Sequence, residues 1–158
     1  MGDDDGLRVA LIGCGWFACA VHCDTLRKAK ARVVALHART DASAARAARA
    51  LKRSDLPRSV TLGGALAACD VALLCLPAAA HESACLAAFA AKVAVVSEKP
   101  AAWTAAGLRR LDAAHAAAPG AWRVLENWAH KPGVLRVGAL LDGVRPVWNP
   151  NRFKIPST

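Results

Sequence analysis

Residues 8–18 read RVALIGCGWFA, a short apolar run that ends at two glycines separated by one residue. The run predicts a β-strand, and Gly13 allows the backbone to turn sharply out of it into a helix. Gly15 leaves no side chain between the backbone and an incoming anion, and the small Ala18 lets the helix pack close to the sheet. The unpaired N–H groups at the start of that helix would face a phosphate group. The pattern is therefore typical of a phosphate-binding turn, but it is weak by itself in a chain this rich in alanine.

Strand-like and helix-like stretches alternate along the rest of the chain. After the first strand, the sequence predicts strands at 32–37, 60–62, 71–76, 93–96 and 122–125. It predicts helices at 17–30, at 42–52 after an Asp41 N-cap, after Gly63-Gly64 as far as Cys69, at 80–90, from Thr104 as N-cap to 118, and from 131 to 141. The stretch 71–76 (VALLCL) has no polar alternation, as expected for a strand covered on both faces of a parallel sheet.

This alternation indicates an α/β fold. We predict a three-layer doubly wound parallel sheet, a Rossmann fold, with about six strands in the order 3-2-1-4-5-6. The glycine turn lies in the first connection from strand to helix, where a dinucleotide-binding fold needs it. The predicted domain spans 7–143. Residues 144–158 hold three prolines and two asparagines with no apolar period, and they predict an irregular or disordered tail.

The composition narrows the classes of function. The net charge of +9 suits an anionic ligand, but it also suits an ordinary solvated basic surface. No dense basic block with interleaved aromatic residues is present, so we expect no nucleic-acid partner. The six cysteines form no Cys-x-x-Cys pair, so we expect free thiols and no metal site. The sequence contains no apolar run of membrane-spanning length and begins with an acidic segment, so we expect a cytoplasmic protein without membrane attachment.

The end of the second predicted strand bears on the choice of cofactor. In a dinucleotide-binding fold this end faces the adenosine ribose, where an acidic residue would accept hydrogen bonds from the 2′-hydroxyl. Here the first residues past the strand are Ala38, Arg39 and Thr40, a set that suits a 2′-phosphate held by arginine. Asp41 comes late and is better explained as a helix cap. The sequence therefore favours NADP over NAD, with an ordinary surface role for Arg39 as the alternative.

Four blocks of sequence follow one another in a specific order. They are 13–18 with His22 one helical turn later, the 71–76 strand closing as Leu76-Pro77 before His81-Glu82, the tripeptide Glu98-Lys99-Pro100, and Glu126-Asn127-Trp128. With these blocks the chain resembles the N-terminal nucleotide-binding domain of the Gfo/Idh/MocA oxidoreductases over about residues 7–143.

The resemblance implies hydride transfer between a nicotinamide cofactor and a sugar, polyol or related hydroxyl or carbonyl compound. It implies that Lys99 is catalytic and lies near both nicotinamide and substrate. A lysine at the carboxyl end of a parallel strand faces the ligand crevice, where it can polarise a carbonyl or share a proton with the reacting oxygen. The residues expected to contact the cofactor are Gly13, Gly15, Trp16, Phe17, Ala38, Arg39, Thr40, Leu76, Pro77, His81, Glu98 and Lys99.

Three polar residues near this site are expected to support it rather than to react, or have two alternative roles. For His81, a place facing the cofactor and a packing or capping role at the start of a helix both remain open. Glu98 is expected to order Lys99 or its loop rather than to react. His22 is expected to pack beneath the phosphate-binding turn.

The chain departs from the family pattern after residue 143. Family members continue into an α+β domain that carries the substrate pocket, and residues 144–158 have nothing in common with it. We therefore expect a truncated, cofactor-binding half that meets a small-molecule substrate only if a second domain is supplied. The alternative is a non-catalytic NAD(P)H-binding or regulatory module. An apolar surface left uncovered would favour a homo-oligomer.

Overall fold

The computed structural model describes residues 6–58, 61–118, 120–126, 131–132 and 136. Five strands form one sheet: β1 (Arg8–Ile12), β2 (Arg32–His37), β3 (Val71–Leu74), β4 (Ala94–Ser97) and β5 (Trp122–Val124). Their order is β2-β1-β3-β4-β5, and each neighbouring pair is parallel. The chain divides into Met1–Leu125, which holds the sheet, and Glu126–Thr158, most of which lies outside the described residues. The predictions of a last helix and an irregular tail fall in that second part.

Helices cover both faces of the sheet. A π-helical turn (Ala18–His22) continues into α1 (Cys23–Lys28), and the chain then forms α2 (Asp41–Leu51), α3 (Leu62–Ala67), α4 (Ala78–Ala90) and α5 (Ala105–Ala116). Within the described ranges, no helix is both long and apolar enough to cross a membrane.

Alternate residues of β1 enter two separate hydrophobic cores. Leu11 packs with buried residues of the π-helical turn, α1 and α2, whereas Ala10 and Ile12 pack with buried residues of α3, α4 and α5. Successive side chains of a strand point to opposite faces, so one strand supports both layers of helix. The predicted three-layer doubly wound parallel sheet is therefore confirmed.

The predicted number of strands is wrong. Of the predicted third strand at 60–62, residue 60 lies outside the described residues, Leu62 begins α3, and the Thr61 hydroxyl accepts a 3.1 Å hydrogen bond from the Gly64 N–H as the N-cap of that helix. A single parallel bridge between Leu36 and Arg58 lies beside β2 instead. Without that strand, the predicted order 3-2-1-4-5-6 becomes the observed five-stranded order once the remaining strands are renumbered.

One of the two predicted N-caps is also wrong. The cap of α2 is Thr40, whose hydroxyl accepts a 3.3 Å hydrogen bond from the Ser43 N–H, and Asp41 is the first residue of the helix. A carboxylate in the first turn still interacts favourably with the helix dipole. The other prediction is confirmed, because the Thr104 hydroxyl caps α5 by accepting a 3.0 Å bond from the Gly107 N–H.

Arg8 and Asp70 fasten β1 to β3 where the two strands begin. The Asp70 carboxylate accepts hydrogen bonds from the Arg8 backbone N–H at 2.8 Å and from its guanidinium at 2.7 and 3.1 Å. These hydrogen bonds, more than the Arg8 charge, lower the pKa of Asp70 to about 2.

Asp70→Asn is expected to lower the free energy of unfolding at pH 7 and to have less effect in acid. The folded-state pKa of Asp70, about 2, lies below the unfolded value of about 3.9. The stabilisation is therefore present above about pH 4 and is lost as the pH falls toward 2. Urea unfolding of both proteins between pH 7 and pH 3 measures the difference, with Asp112→Asn on the exposed face of α5 as the control. A difference that stays constant with pH would contradict the assignment.

Candidate functional site

The carboxyl ends of β1, β3 and β4 lie next to one another in the sheet. The residues that follow them are 13–17, 75–77 and 98–100, and 38–40 follow β2 on the other side of β1. In a doubly wound fold, ligands bind in the crevice beyond these ends, where the strand order reverses. The structure therefore gathers the four groups of predicted site residues at one edge of the sheet, with the reversal between β1 and β3.

Gly13 is fixed in place by its backbone. Its φ is +95°, and its N–H donates a 2.8 Å hydrogen bond to the carbonyl of His37 at the end of β2. A Cβ at this position would lie 2.2 Å from the carbonyl oxygen of Cys75. Gly13 is therefore needed both for the left-handed turn and for the close contact between the ends of β1 and β3.

Gly15 has different surroundings. A Cβ built at Gly15 would meet no atom within 4 Å, so the space beside it is open. The side chain of Trp16 is 75% exposed and that of Phe17 is 40% exposed. The structure therefore leaves room beside the second glycine, just before a helix begins, as the predicted phosphate-binding turn requires.

The residues after β2 form a small polar group. Arg39 and Thr40 are exposed and Ala38 is half-buried. The Thr40 hydroxyl, besides capping α2, donates a 2.9 Å hydrogen bond to the Ser43 hydroxyl. Arg58 joins the group because of its bridge to β2, with its Nε 3.8 Å from the Asp41 carboxylate. The sequence does not point to Arg58, since it lies in a loop more than twenty residues after His37, the last residue of β2.

His81 is buried and has a defined arrangement of hydrogen bonds. Its Nε2 accepts a 3.2 Å bond from the Leu76 N–H, so the ring proton resides on Nδ1, which donates a 2.8 Å bond to the Pro100 carbonyl. The Lys99–Pro100 peptide bond is cis. His81 thus ties the segment after β3 to the segment after β4, which is the packing role left open by the sequence.

Glu98 connects two elements that are distant in the sequence. Its N–H donates a 2.9 Å hydrogen bond to the Leu74 carbonyl, which places the side chain at the edge of the sheet. One carboxylate oxygen lies 2.9 Å from Nε2 of His22, and the other accepts a 3.2 Å bond from the Lys99 N–H. The Lys99 residue itself is exposed.

Four cysteines surround the base of the glycine turn. Cys14 and Cys23 are buried, and Cys19 and Cys75 are half-buried. Burial raises the pKa of the Cys14 and Cys23 thiols to about 12 and that of Cys75 to about 11. Thiols with such pKa values are protonated at neutral pH and serve as small apolar groups. In the part of the chain that the structure describes, His, Cys, Asp and Glu side chains form no group of three suited to holding a metal ion.

Comparison with known families identifies a relationship over most of the chain. A family model described as "Oxidoreductase family, NAD-binding Rossmann fold", that of the Gfo/Idh/MocA proteins, matches residues 7–124. No curated protein matches the chain at a significant level.

Solved structures share the fold. A 3-ketoreductase from Actinomadura kijaniata, solved with TDP-benzene and NADP, has a TM-score of 0.77 at 23% identity, over 88% of this chain and 44% of its own. An oxidoreductase from Thermotoga maritima has a TM-score of 0.80 at 20% identity, over 87% and 43%. A UDP-N-acetylglucosamine 3-dehydrogenase from Acidithiobacillus ferrooxidans has a TM-score of 0.75 at 17% identity, over 85% and 42%. The chain thus spans less than half the length of these proteins.

Proposed function

The chain belongs to the Gfo/Idh/MocA oxidoreductases as an NAD-binding Rossmann domain, and from this premise we propose that it holds NADP(H), in preference to NAD(H), for hydride transfer. The substrate class proposed is a sugar, polyol or related compound with a hydroxyl or carbonyl group. The observation that carries the proposal is the open space beside Gly15, in the turn before the first helix and at the same edge of the sheet as Lys99.

In this proposal the cofactor lies along the edge of the sheet. The turn at Gly13 and Gly15, with Trp16 and Phe17 after it, binds the pyrophosphate through backbone N–H groups. Leu76 and Pro77 contact the cofactor from the β3 side, and the small Ala38 leaves room for the ribose. The nicotinamide ring, when bound, supplies the hydride.

Lys99 is the proposed catalytic residue. Its ammonium is exposed at the carboxyl end of β4, where it can donate a proton to a carbonyl oxygen as hydride arrives, or stabilise the charge on that oxygen. Glu98 and His81 hold the backbone on either side of Lys99 through the hydrogen bonds described above. The protein's part in the reaction is therefore to place one ammonium group beside the reacting oxygen.

The proposed preference for NADP rests on charge beyond β2. Arg39 is exposed next to the expected position of the ribose, and Arg58 approaches the Asp41 carboxylate from the neighbouring loop. Guanidinium groups bind a phosphate through two parallel hydrogen bonds, which a 2′-hydroxyl does not offer. The Actinomadura 3-ketoreductase, which shares the fold, was solved with NADP, and this supports the proposed cofactor.

Arg39→Ala is expected to weaken NADPH binding about tenfold or more and to leave NADH binding nearly unchanged, because one charge-assisted contact to the 2′-phosphate is lost. Fluorescence titration of both cofactors at one ionic strength measures the two affinities. Arg49→Ala, at the last turn of α2, removes the same charge from an exposed site and should leave both affinities unchanged. A wild-type chain that binds NADH as tightly as NADPH would refute the preference, and one that binds neither would refute the function.

A non-catalytic NADP(H)-binding or regulatory module is the second candidate, because the glycine turn at the start of the first helix is by itself sufficient to bind a dinucleotide. The two candidates differ in turnover. If the chain is catalytic, NADPH bound to it is oxidised by sugar or dicarbonyl compounds, and Lys99→Ala lowers that rate about 100-fold. NADPH binding changes little in this variant, because alanine retains the backbone N–H that Glu98 holds. Absorbance at the reduced nicotinamide band follows the reaction. Binding without oxidation by any such compound would favour the module.

A further inference from the structure

The contact between His22 and Glu98 is the basis of the inference. His22 Nε2 and Glu98 Oε1 are 2.9 Å apart, and the two side chains are only 9% and 14% exposed. One residue ends the π-helical turn after the glycine loop, and the other follows β4, so the contact spans the strand order reversal from β1 to β4. A hydrogen bond to a carboxylate that is largely removed from water is stronger than one on the surface.

Both ends of this contact continue into the proposed cofactor site. The second Glu98 oxygen accepts the Lys99 N–H, so the position of the carboxylate sets the position of the Lys99 backbone. On the other side, the Phe17 ring packs edge-to-face on the His22 ring, with centroids 5.4 Å apart. Phe17 lies two residues after Gly15. The chain of contacts therefore runs from the pyrophosphate cradle to the backbone of Lys99.

We propose that His22 is a positioning residue for Lys99. His22 holds Lys99 through Glu98, so that the nicotinamide end of the cofactor site forms together with the pyrophosphate end. The inference rests on the proposed function, and it adds a residue whose effect is confined to one half of the dinucleotide. Removing the imidazole frees the Glu98 carboxylate to turn toward water, and the Lys99 N–H loses its fixed acceptor. At the pyrophosphate end only the contact with the Phe17 ring is lost, and the backbone N–H groups proposed to bind the phosphate remain.

The test compares NADPH with 2′-phospho-ADP-ribose, which lacks only the nicotinamide ring. His22→Ala is expected to weaken NADPH binding about tenfold, the effect of one hydrogen bond to a charged group, and to leave 2′-phospho-ADP-ribose within about twofold. His22→Gln retains an N–H donor for the carboxylate and should restore NADPH binding. Glu98→Ala should have the same effect as His22→Ala, and the double variant should be no weaker than either, because all three interrupt one path.

His115→Ala is the matched control. The Nε2–H of His115 donates a 3.0 Å hydrogen bond to the Gly120 carbonyl, beside the amino-terminal end of β4, so its loss should change neither affinity. If the role of His22 were merely structural, His22→Ala would weaken the binding of both ligands to the same extent, and that result would overturn the proposal. Unchanged NADPH binding in His22→Ala, or additive losses in the double variant, would also overturn it.

A second measurement separates this inference from the proposed function. Hydrogen exchange of the Lys99 amide requires no ligand, and it should be faster in His22→Ala than in the wild type and unchanged in His115→Ala. If the wild type binds neither ligand, the proposed function fails, and the exchange rate alone then decides whether His22 holds Lys99. Equal exchange rates in His22→Ala and wild type would refute the link.

Discussion

Gly13→Ala is expected to destabilise the domain by about 4 kcal/mol or more, because one added methyl group meets two independent costs. The backbone at Gly13 has a φ of +95°, which L side chains rarely adopt. The new Cβ would also lie 2.2 Å from the Cys75 carbonyl oxygen and 2.7 Å from its carbonyl carbon. These backbone atoms are held at the end of β3, where the Cys75 N–H donates a 2.8 Å bond to the Ile12 carbonyl. Removing the clash with the Cys75 backbone therefore requires β1 and β3 to move apart.

A loss of this size is large for a single domain, whose stability is typically about 5–15 kcal/mol. We expect the melting temperature to fall by about 10–15 °C, or the variant to be recovered mainly as aggregate. Circular dichroism during heating measures the change. A variant that melts with the wild type would show that the turn at Gly13 can relax without disturbing the sheet.

Gly15→Ala, the same substitution two residues later, is expected to leave the fold intact and to weaken NADPH binding at least about tenfold. The added Cβ meets no protein atom within 4 Å, so the folded chain gains no clash. The methyl group instead occupies the space beside the backbone that the proposed pyrophosphate needs. We therefore expect Gly15→Ala to melt at the wild-type temperature and to bind NADPH more weakly. Gly13→Ala cannot give this combination, because it lowers the melting temperature.

Gly63→Ala is the control for the second prediction. A Cβ at Gly63 also meets nothing within 4 Å, and Gly63 lies in α3 rather than in the glycine turn. It should leave NADPH binding unchanged and stabilise the helix by up to about 1 kcal/mol. Wild-type affinity in Gly15→Ala would mean that no phosphate group approaches this turn.

Much of the fold follows from local pattern. The apolar stretches that form β1, β3 and β4 have little polar alternation, and burial on both faces of a parallel sheet explains both their composition and their structure. At Thr61 and Leu62 the local pattern is ambiguous, because a β-branched threonine favours a strand and also serves as an N-cap. In the structure the Thr61 hydroxyl accepts a hydrogen bond from the Gly64 N–H, and this bond stabilises the N-cap of α3.

The candidate site was less predictable than the fold. Gly13, Gly15 and Lys99 lie at the ends of predicted strands, so the topology alone places them at one edge. The sequence assigned His22 and Glu98 separate supporting roles but not a shared contact, because they are 76 residues apart and meet only through the order of the strands. Arg58 was missed for the same reason, since an isolated bridge to Leu36 leaves no local signal.

The π-helical turn has a consequence for comparing this chain with its relatives. In Ala18–His22 the bonding reaches one residue further than in an α-helix, as the Cys23 N–H donates to the Ala18 carbonyl five residues earlier. Deleting one residue within this turn would restore the α-helical spacing and shift His22 relative to the turns on either side of it. His22 would then no longer face Glu98. A one-residue gap in an alignment of this turn therefore marks the loss of the hydrogen bond between His22 and Glu98 across the crevice. Two chains that differ by such a gap are not equivalent at Lys99.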